Sequence, residues 1–340
     1  MYQSFKLSRR IARFRAPVLA LLVVAFFGCD STNSFNPDSS TQPDAGQDAA
    51  PDPLSTIDEV TPIDADMPID EEVDFVPAGP LEGPALSFAG GIAMGVSSQP
   101  TSLFGSVYNG ALRNIWPAYL VKELAAIKQR GGKVVLTFSG ASHYYLDGDG
   151  NFSLTKWKNR VARFKGVNFS SYVKDGTVIG HYLIDEPNHA GRWGRPVSAS
   201  TVEEMARYSK QIWPNLPTIV RAQPDYLNHS HRYLDAAWAQ YLYRRGNVHD
   251  YIRKQVAEAK ERGLALVVGL NVINGGSPNG TKMTASEIKS WGSALLGNSY
   301  PCAFISWQHN SYLSSTDVKS AMSQLRRMAE NRGTKSCRGS

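Results

Sequence analysis

Gly180-His-Tyr-Leu-Ile-Asp-Glu-Pro-Asn188 is an apolar strand run that ends in two adjacent carboxylates and a proline. Proline has no backbone donor and a fixed φ, so Pro187 stops a strand ladder at this point and leaves Asp185 and Glu186 at its tip. In parallel barrels and open parallel sheets, strand tips at the C-terminal end carry the chemistry. These two acids are therefore the expected active centre.

Working outward, apolar β-branched runs alternate with helix-period segments. Strands are expected over 88–96, 133–139, 178–185, 218–222, 236–241, 264–272 and 303–307, and helices over 118–130, 155–164, 200–213, 248–262, 285–296 and 316–331. This rhythm predicts right-handed βα units around a parallel sheet. About 255 residues are involved, the usual size of one eight-stranded (β/α)8 or TIM barrel. Seven strands are legible, and an irregular eighth is expected either between Gly95 and Trp116 or within 142–154. No Gly-x-Gly-x-x-Gly turn follows the first strand, which argues against a doubly wound dinucleotide fold.

The chain begins differently. Lys6, Arg9, Arg10, Arg13 and Arg15 precede the apolar run 18–27 and then Gly28-Cys29. Ten apolar residues are too few to span a bilayer as a helix, which takes about 20, so 1–29 reads as an export leader. Gly28-Cys29 resembles a bacterial lipoprotein processing site, which makes Cys29 the expected lipidated residue and a membrane surface the expected anchor. Residues 30–84 are rich in Pro, Asp, Ala, Ser and Thr and read as a disordered acidic linker. That segment holds fourteen of the thirty acidic residues and no Lys or Arg. With the five basic residues of the leader also set aside, residues 85–340 keep 31 basic against 16 acidic side chains, far from the whole-chain +6. Such a domain attracts anionic glycans, envelope phosphates or its own linker. No basic helix interleaved with aromatics points to nucleic acid. Of three cysteines, Cys302 and Cys337 remain once Cys29 is lipidated, and an oxidising compartment favours a disulfide between them.

Tyr182-Leu-Ile-Asp-Glu-Pro187, taken with the strand order, resembles the Asn-Glu-Pro ending of the fourth strand in barrel glycoside hydrolases of the large retaining clan. Ile305-Ser-Trp-Gln-His309 is similar to that clan's last strand, whose tryptophan floors a sugar subsite. The resemblance covers 86–333 and implies Glu186 as general acid/base and a carbohydrate substrate. Two departures accompany it. Asp185 stands where the clan has Asn. The seventh-strand run Leu266-Val-Val-Gly-Leu-Asn-Val-Ile-Asn274 offers Asn271 where the clan's nucleophilic Glu would stand.

Glycoside hydrolysis uses one carboxyl to protonate the departing oxygen and another to attack or to activate water. Every Glu after Glu186 falls in an expected helix, which leaves Asp225, beyond 218–222, or Asp185 as the second acid. Asp235 begins a strand and belongs to the opposite end. Inversion is the expected outcome if the separation leaves room for a water, and loss of turnover with retained glycan binding is the alternative. Neighbours on a regular strand point apart, so Asp185 and Glu186 share a pocket only if the tip carries a bulge.

Further polar and aromatic candidates follow the expected strands: Ser139 and His143, Arg221 and Gln223, Trp238 and Gln240, Asn271, then Trp307, Gln308 and His309. Asp147-Gly-Asp-Gly-Asn151 opens like a calcium loop, but Phe152 and Lys158 occupy its glycine and bidentate-Glu positions, so a tight turn before a helix is expected. No zinc, Walker or nucleophile-elbow motif occurs, and neither a metal nor a cofactor is expected.

Overall fold

The computed structural model describes residues 90–228 and 231–339. The leader 1–29 with Cys29 and the linker 30–84 lie outside the described residues. Eight parallel strands close into a barrel: β1 (Ala93–Ser97), β2 (Gly110–Asn114), β3 (Lys133–Thr137), β4 (Val178–Asp185), β5 (Thr218–Arg221), β6 (Ala236–Tyr241), β7 (Ala265–Leu270) and β8 (Ala303–Ser306). Closure is made by β1, which pairs with β2 through Gly95 and Gly110 and with β8 through Ala93 and Ala303. The fold is thus the expected (β/α)8 barrel, and the irregular eighth strand is β2, in the first of its two expected places. Its sequence, Gly-Ala-Leu-Arg-Asn, carries only two apolar side chains and ends in polar ones, too short a run to stand out by periodicity.

Side chains alternate between two cores, as the strand period of two requires. Ala93, Leu112, Val135, Tyr182, Ile219, Trp238, Val267 and Ile305 pack together inside the barrel. Met94, Val134, Val220, Ala237, Leu266 and Phe304 join the larger layer between strands and helices. That layer is covered by α1 (Pro117–Gln129), α2 (Leu154–Ala162), the short α3 (Ser170–Lys174) and α4 (Ala190–Trp193), α5 (Ala199–Ile212), α6 (Val248–Glu261), α7 (Ala285–Gly297) and α8 (Thr316–Glu330). The six long helices match the apolar periodicity to within a residue or two. Four of them, α2, α5, α6 and α7, start at side-chain caps: Ser198 accepts from the Thr201 N–H, for example, and Thr284 with Glu287 forms a capping box. Among the described residues no helix is long and apolar enough to cross a membrane.

Two connections lack a helix. Among the described residues there is only the 3-10 turn Thr101–Leu103 between β1 and β2, and only Pro224–Tyr226 between β5 and β6. Before α2, Asp147 Oδ1 accepts from the backbone N–H groups of Asp149 (3.0 Å) and Asn151 (2.8 Å), which makes the acidic run a tight turn. At the other end of the barrel, Cys302 and Cys337 are joined by a disulfide and belong to the inner core, so the C-terminal tail is held against the foot of β8.

The barrel wall is tight where β7 meets β8. A Cβ on Gly269 would stand 1.8 Å from the Ile305 carbonyl oxygen, which is backbone and has no rotamer to yield. Gly269→Ala should therefore cost at least about 1–3 kcal/mol, the range for overpacking. A chemical-denaturation midpoint equal to that of the wild type would show that the two strands move apart freely.

Candidate active site

The site is built on an irregularity in β4. Its register with β5 runs His181 to Thr218, Tyr182 to Ile219, then Asp185 to Arg221, so three residues of β4 advance against two of β5. The extra residue is a bulge. Tyr182 faces the barrel interior, Leu183 and Ile184 both turn to the outer core, and Asp185 returns inward to receive the Tyr182 hydroxyl at 2.8 Å. Glu186 follows at φ +38°, a left-handed conformation that is costly for a residue with a side chain. Its N–H donates to the Arg221 carbonyl (2.9 Å). Trp193, fully buried on α4, donates its indole N–H to the carbonyls of Asp185 (2.9 Å) and Glu186 (3.0 Å) and holds the tip in place.

Asp185 and Glu186 are consequently separated in role. Asp185 is buried, and its two oxygens are taken: Oδ1 by Tyr182 and by Arg221 Nε, Oδ2 by Arg192 Nη1. Burial pushes its pKa up, but the two guanidiniums and the Tyr182 hydroxyl outweigh that and hold it below the usual carboxylate range. An acid so held keeps no proton to transfer at neutral pH. Glu186 has about a third of its side chain exposed and contacts Arg221 Nη2 at 3.2 Å.

Arg221 is the hub. Besides the two acids, its Nη1 donates to Gln240 Oε1 at 2.8 Å, and its guanidinium lies 4.6 Å from the centre of the Trp307 ring. Burial alone would depress its pKa, but Asp185, Glu186 and Tyr182 raise it, so it stays charged. Trp307 thus gives a ring face to a cation of the protein, whereas the resemblance implies a sugar there.

Above this layer opens a cavity of about 450 Å³. Glu186, Arg221, Gln223, Asp225, Trp238, Gln240, Asn271 and Trp307 line it, which brings together eight of the expected residues. Asp225 enters from the 3-10 turn between β5 and β6, with nearly half of its side chain exposed and Lys254 Nζ at 3.9 Å. Asn271, just past β7, spends its Oδ1 on the Asn274 N–H (3.1 Å). Five expected residues stand elsewhere. Asp185 lies beneath the cavity, Ser139 is buried beside Thr137, His143 is exposed and packs on Tyr144, and Gln308 and His309 are not part of the lining. Asp235 sits at the opposite strand end, where it receives the Thr218 N–H (2.8 Å) and Lys210.

The cavity also contains residues that pattern reading passed over: Asn188, Arg192, Tyr226, Arg244 and Arg245. Arg192 lies on a four-residue helix too short to show a period. Arg244-Arg245, directly after the apolar tip of β6, was a usable signal. Gln223 faces Arg245 and, with its amide oxygen turned inward, accepts from Arg245 Nη1 at 2.9 Å. Among the described residues no group of three or more His, Cys, Asp or Glu side chains is placed to hold a metal.

Because the folded pKa of Asp185 lies below its unfolded value of about 3.9, its stabilisation is fully present above that value and drains away as pH falls through the lower folded value. Asp185→Asn takes from Arg221 and Arg192 the carboxylate they share and should cost about 3–5 kcal/mol at neutral pH, the range for breaking a buried ion pair. The variant's stability should also fall less steeply than the wild type's below about pH 4. Parallel acid limbs in thermal-unfolding scans would show that the carboxylate is not what holds the arginines.

No family model matches the sequence, and no curated protein matches it. Solved structures do. The chain is similar to a beta-glucanase from Saccharophagus degradans (10% identity, TM-score 0.52, covering 71% of this chain and 89% of that one). It is also similar to a chitinase from Pseudoalteromonas aurantia (14%, 0.45, 68% and 99%) and to an endocellulase from the archaeon Pyrococcus horikoshii (12%, 0.44, 67% and 85%). At such identities the likeness is one of fold, and what the chain shares with the beta-glucanase is the TIM-barrel architecture.

Proposed function

We propose that the chain is a glycoside hydrolase working at the C-terminal mouth of its barrel, with Glu186 as general acid/base and Asp225 as the second carboxylate. The observation that carries this reading is that two carboxylates with open side-chain surface, Glu186 and Asp225, line one cavity at the strand tips, while the third acid nearby, Asp185, is buried and committed to arginines. In the reaction, a proton passes from the Glu186 carboxyl to the glycosidic oxygen as the bond to the anomeric carbon breaks. The carboxylate left behind faces Arg221 Nη2, which stabilises it. Asp225 attacks the anomeric carbon or takes a proton from the water that does. Gln240, half-buried on the cavity wall, offers an amide N–H to a sugar hydroxyl.

A second reading has its own support. Asn271 at the tip of β7 is no nucleophile, and a barrel that binds glycan without cleaving it would need none. The experiment separates the two. On an unactivated oligosaccharide that the wild type cleaves, Glu186→Gln should lower turnover by roughly 10² to 10⁴ while binding persists. On an aryl glycoside with a good leaving group the loss should be much smaller, whereas Asp225→Asn should slow both substrates. An unchanged rate in Glu186→Gln would sink the acid assignment, and binding without turnover across a broad glycan panel would establish the binding barrel.

The basic leader and Gly28-Cys29 support export and lipid attachment, which would set this site against envelope or environmental polysaccharide. Cys29→Ser should then move the protein from the membrane fraction to the soluble one. Wild type found wholly in the soluble fraction would rule out the anchor.

A further inference from the structure

We propose that a groove at the foot of the barrel, at the end opposite the mouth, is the docking site of the chain's own segment 69–89, with Leu86 and Phe88 on its apolar floor and the acids of the segment against its basic rim. The groove has a volume of about 1090 Å³, more than twice that of the cavity at the mouth. Its wall is made by 90–93, which lead into β1, by α3 and the residues after α5, and by 334–338 of the tail that the Cys302–Cys337 disulfide holds. Two kinds of surface meet there. Val173, Ile179, Ile212 and Trp213 line it with part of each side chain open to solvent, and grouped apolar surface of this kind marks an interaction site. Around them stand Lys133, Lys174, Lys335 and Arg338.

The rim keeps its positive field. Three of its cations donate to backbone carbonyls, which fix them without cancelling their charge: Lys133 to Gly91 (2.7 Å), Lys335 to Tyr300 and Arg338 to Asn215. Lys174 stands exposed at the C-terminal end of α3. Asp175, the acid of the lining, is held by Lys128 at 2.8 Å and by the Thr177 hydroxyl, and Glu330, which acts on Lys133 from behind, pairs with Arg326. Burial, with Arg332 and Lys260 nearby, lowers the pKa of Lys335, a cost that an arriving carboxylate offsets. Position and composition name the occupant. Gly90 belongs to the groove wall, and Phe88 and Leu86 stand two and four residues before it. In extended backbone, residues two apart share a face and four residues span at most about 14 Å, so both side chains come within reach of the floor. Segment 69–89 carries Asp70, Glu71, Glu72, Asp74 and Glu82, no Lys or Arg, and Val73, Phe75 and Leu81 among the acids. A second barrel would instead bring an excess of cations to a basic rim. Being tethered, the segment acts at an effective concentration on the order of millimolar, where modest contacts suffice.

The test uses the full chain. With the photoreactive residue benzoylphenylalanine in place of Phe88, irradiation followed by mass spectrometry should give a cross-linked monomer joined at 170–179 or 212–217. Lys174→Glu with Arg338→Glu reverses two rim charges and should lower that yield by roughly threefold at low ionic strength, a difference that 1 M salt narrows. Independently, Leu86→Ser with Phe88→Ser should speed amide hydrogen exchange over 170–179 by roughly tenfold, because the floor loses its cover. Exchange over α7, on the far side of the barrel, should stay as in the wild type, which also shows that the variant folds. Cross-links scattered over the surface overturn the inference, and cross-links that join two copies overturn it in favour of an interface between copies. A yield indifferent to the charge reversal, or exchange that is the same with and without Leu86 and Phe88, is equally fatal. None of these readouts uses the chemistry of the mouth, so the inference stands or falls apart from the hydrolase reading.

Discussion

A buried carboxylate can stay ionised only if cations and donors replace the water it loses, and the architecture of this barrel's mouth follows from meeting that demand at Asp185. Three groups from three places meet it: the Tyr182 hydroxyl from three residues earlier in the same strand, Arg221 from the tip of β5 and Arg192 from α4. Each in turn is placed by something else. Arg221 leans on Trp307 and donates to Gln240, which ties β4 and β5 to β6 and β8. Arg192 precedes Trp193, whose indole closes on the carbonyls of the strand tip. Removing the carboxylate would therefore unsettle four strands, not a single contact.

The bulge in β4 makes this arrangement compatible with chemistry. In a regular strand Asp185 and Glu186 would point to opposite faces, and one of them would be lost to the helix layer. The extra residue sends Leu183 and Ile184 outward together, so the inward position falls on Asp185, and the left-handed backbone at Glu186 then swings the next carboxylate into the cavity above. Strain at such a position persists only where its surroundings over-determine it, and here the Trp193 donors and the Arg221 carbonyl do so.

The resemblance to retaining glycosidases led to β7 for the second carboxylate, and Asn271 stands there. A carboxylate lines the cavity from another side. Between β5 and β6 the short turn Pro224–Tyr226 lies over the mouth and brings Asp225 to its wall, while the Tyr226 hydroxyl anchors the turn to the Val197 carbonyl at 2.7 Å. The turn after β6 adds Arg244 and Arg245. Apart from Arg221, the last residue of β5, the charged residues lining this cavity thus come from connections, which vary without disturbing the barrel.

The amino-acid sequence by itself determined the barrel, because seven strands and six long helices are written in apolar periods of two and 3.6 that depend only on local geometry. It also determined which strand tip carries the acids, since Pro187 ends the ladder directly after them. The eighth strand was weakly legible, for Gly110–Asn114 pairs on both edges yet carries only two apolar side chains. What only the tertiary structure decided is the division of labour between Asp185 and Glu186. A one-residue bulge leaves no mark in an apolar run, and the charge state of Asp185 depends on Arg192 and Arg221, the latter 36 residues away. The same holds for His143 and Gln308, which lie beside the right strand ends but outside the cavity. Strand order places a residue near the mouth, and only the path of the loop after it decides whether its side chain turns in.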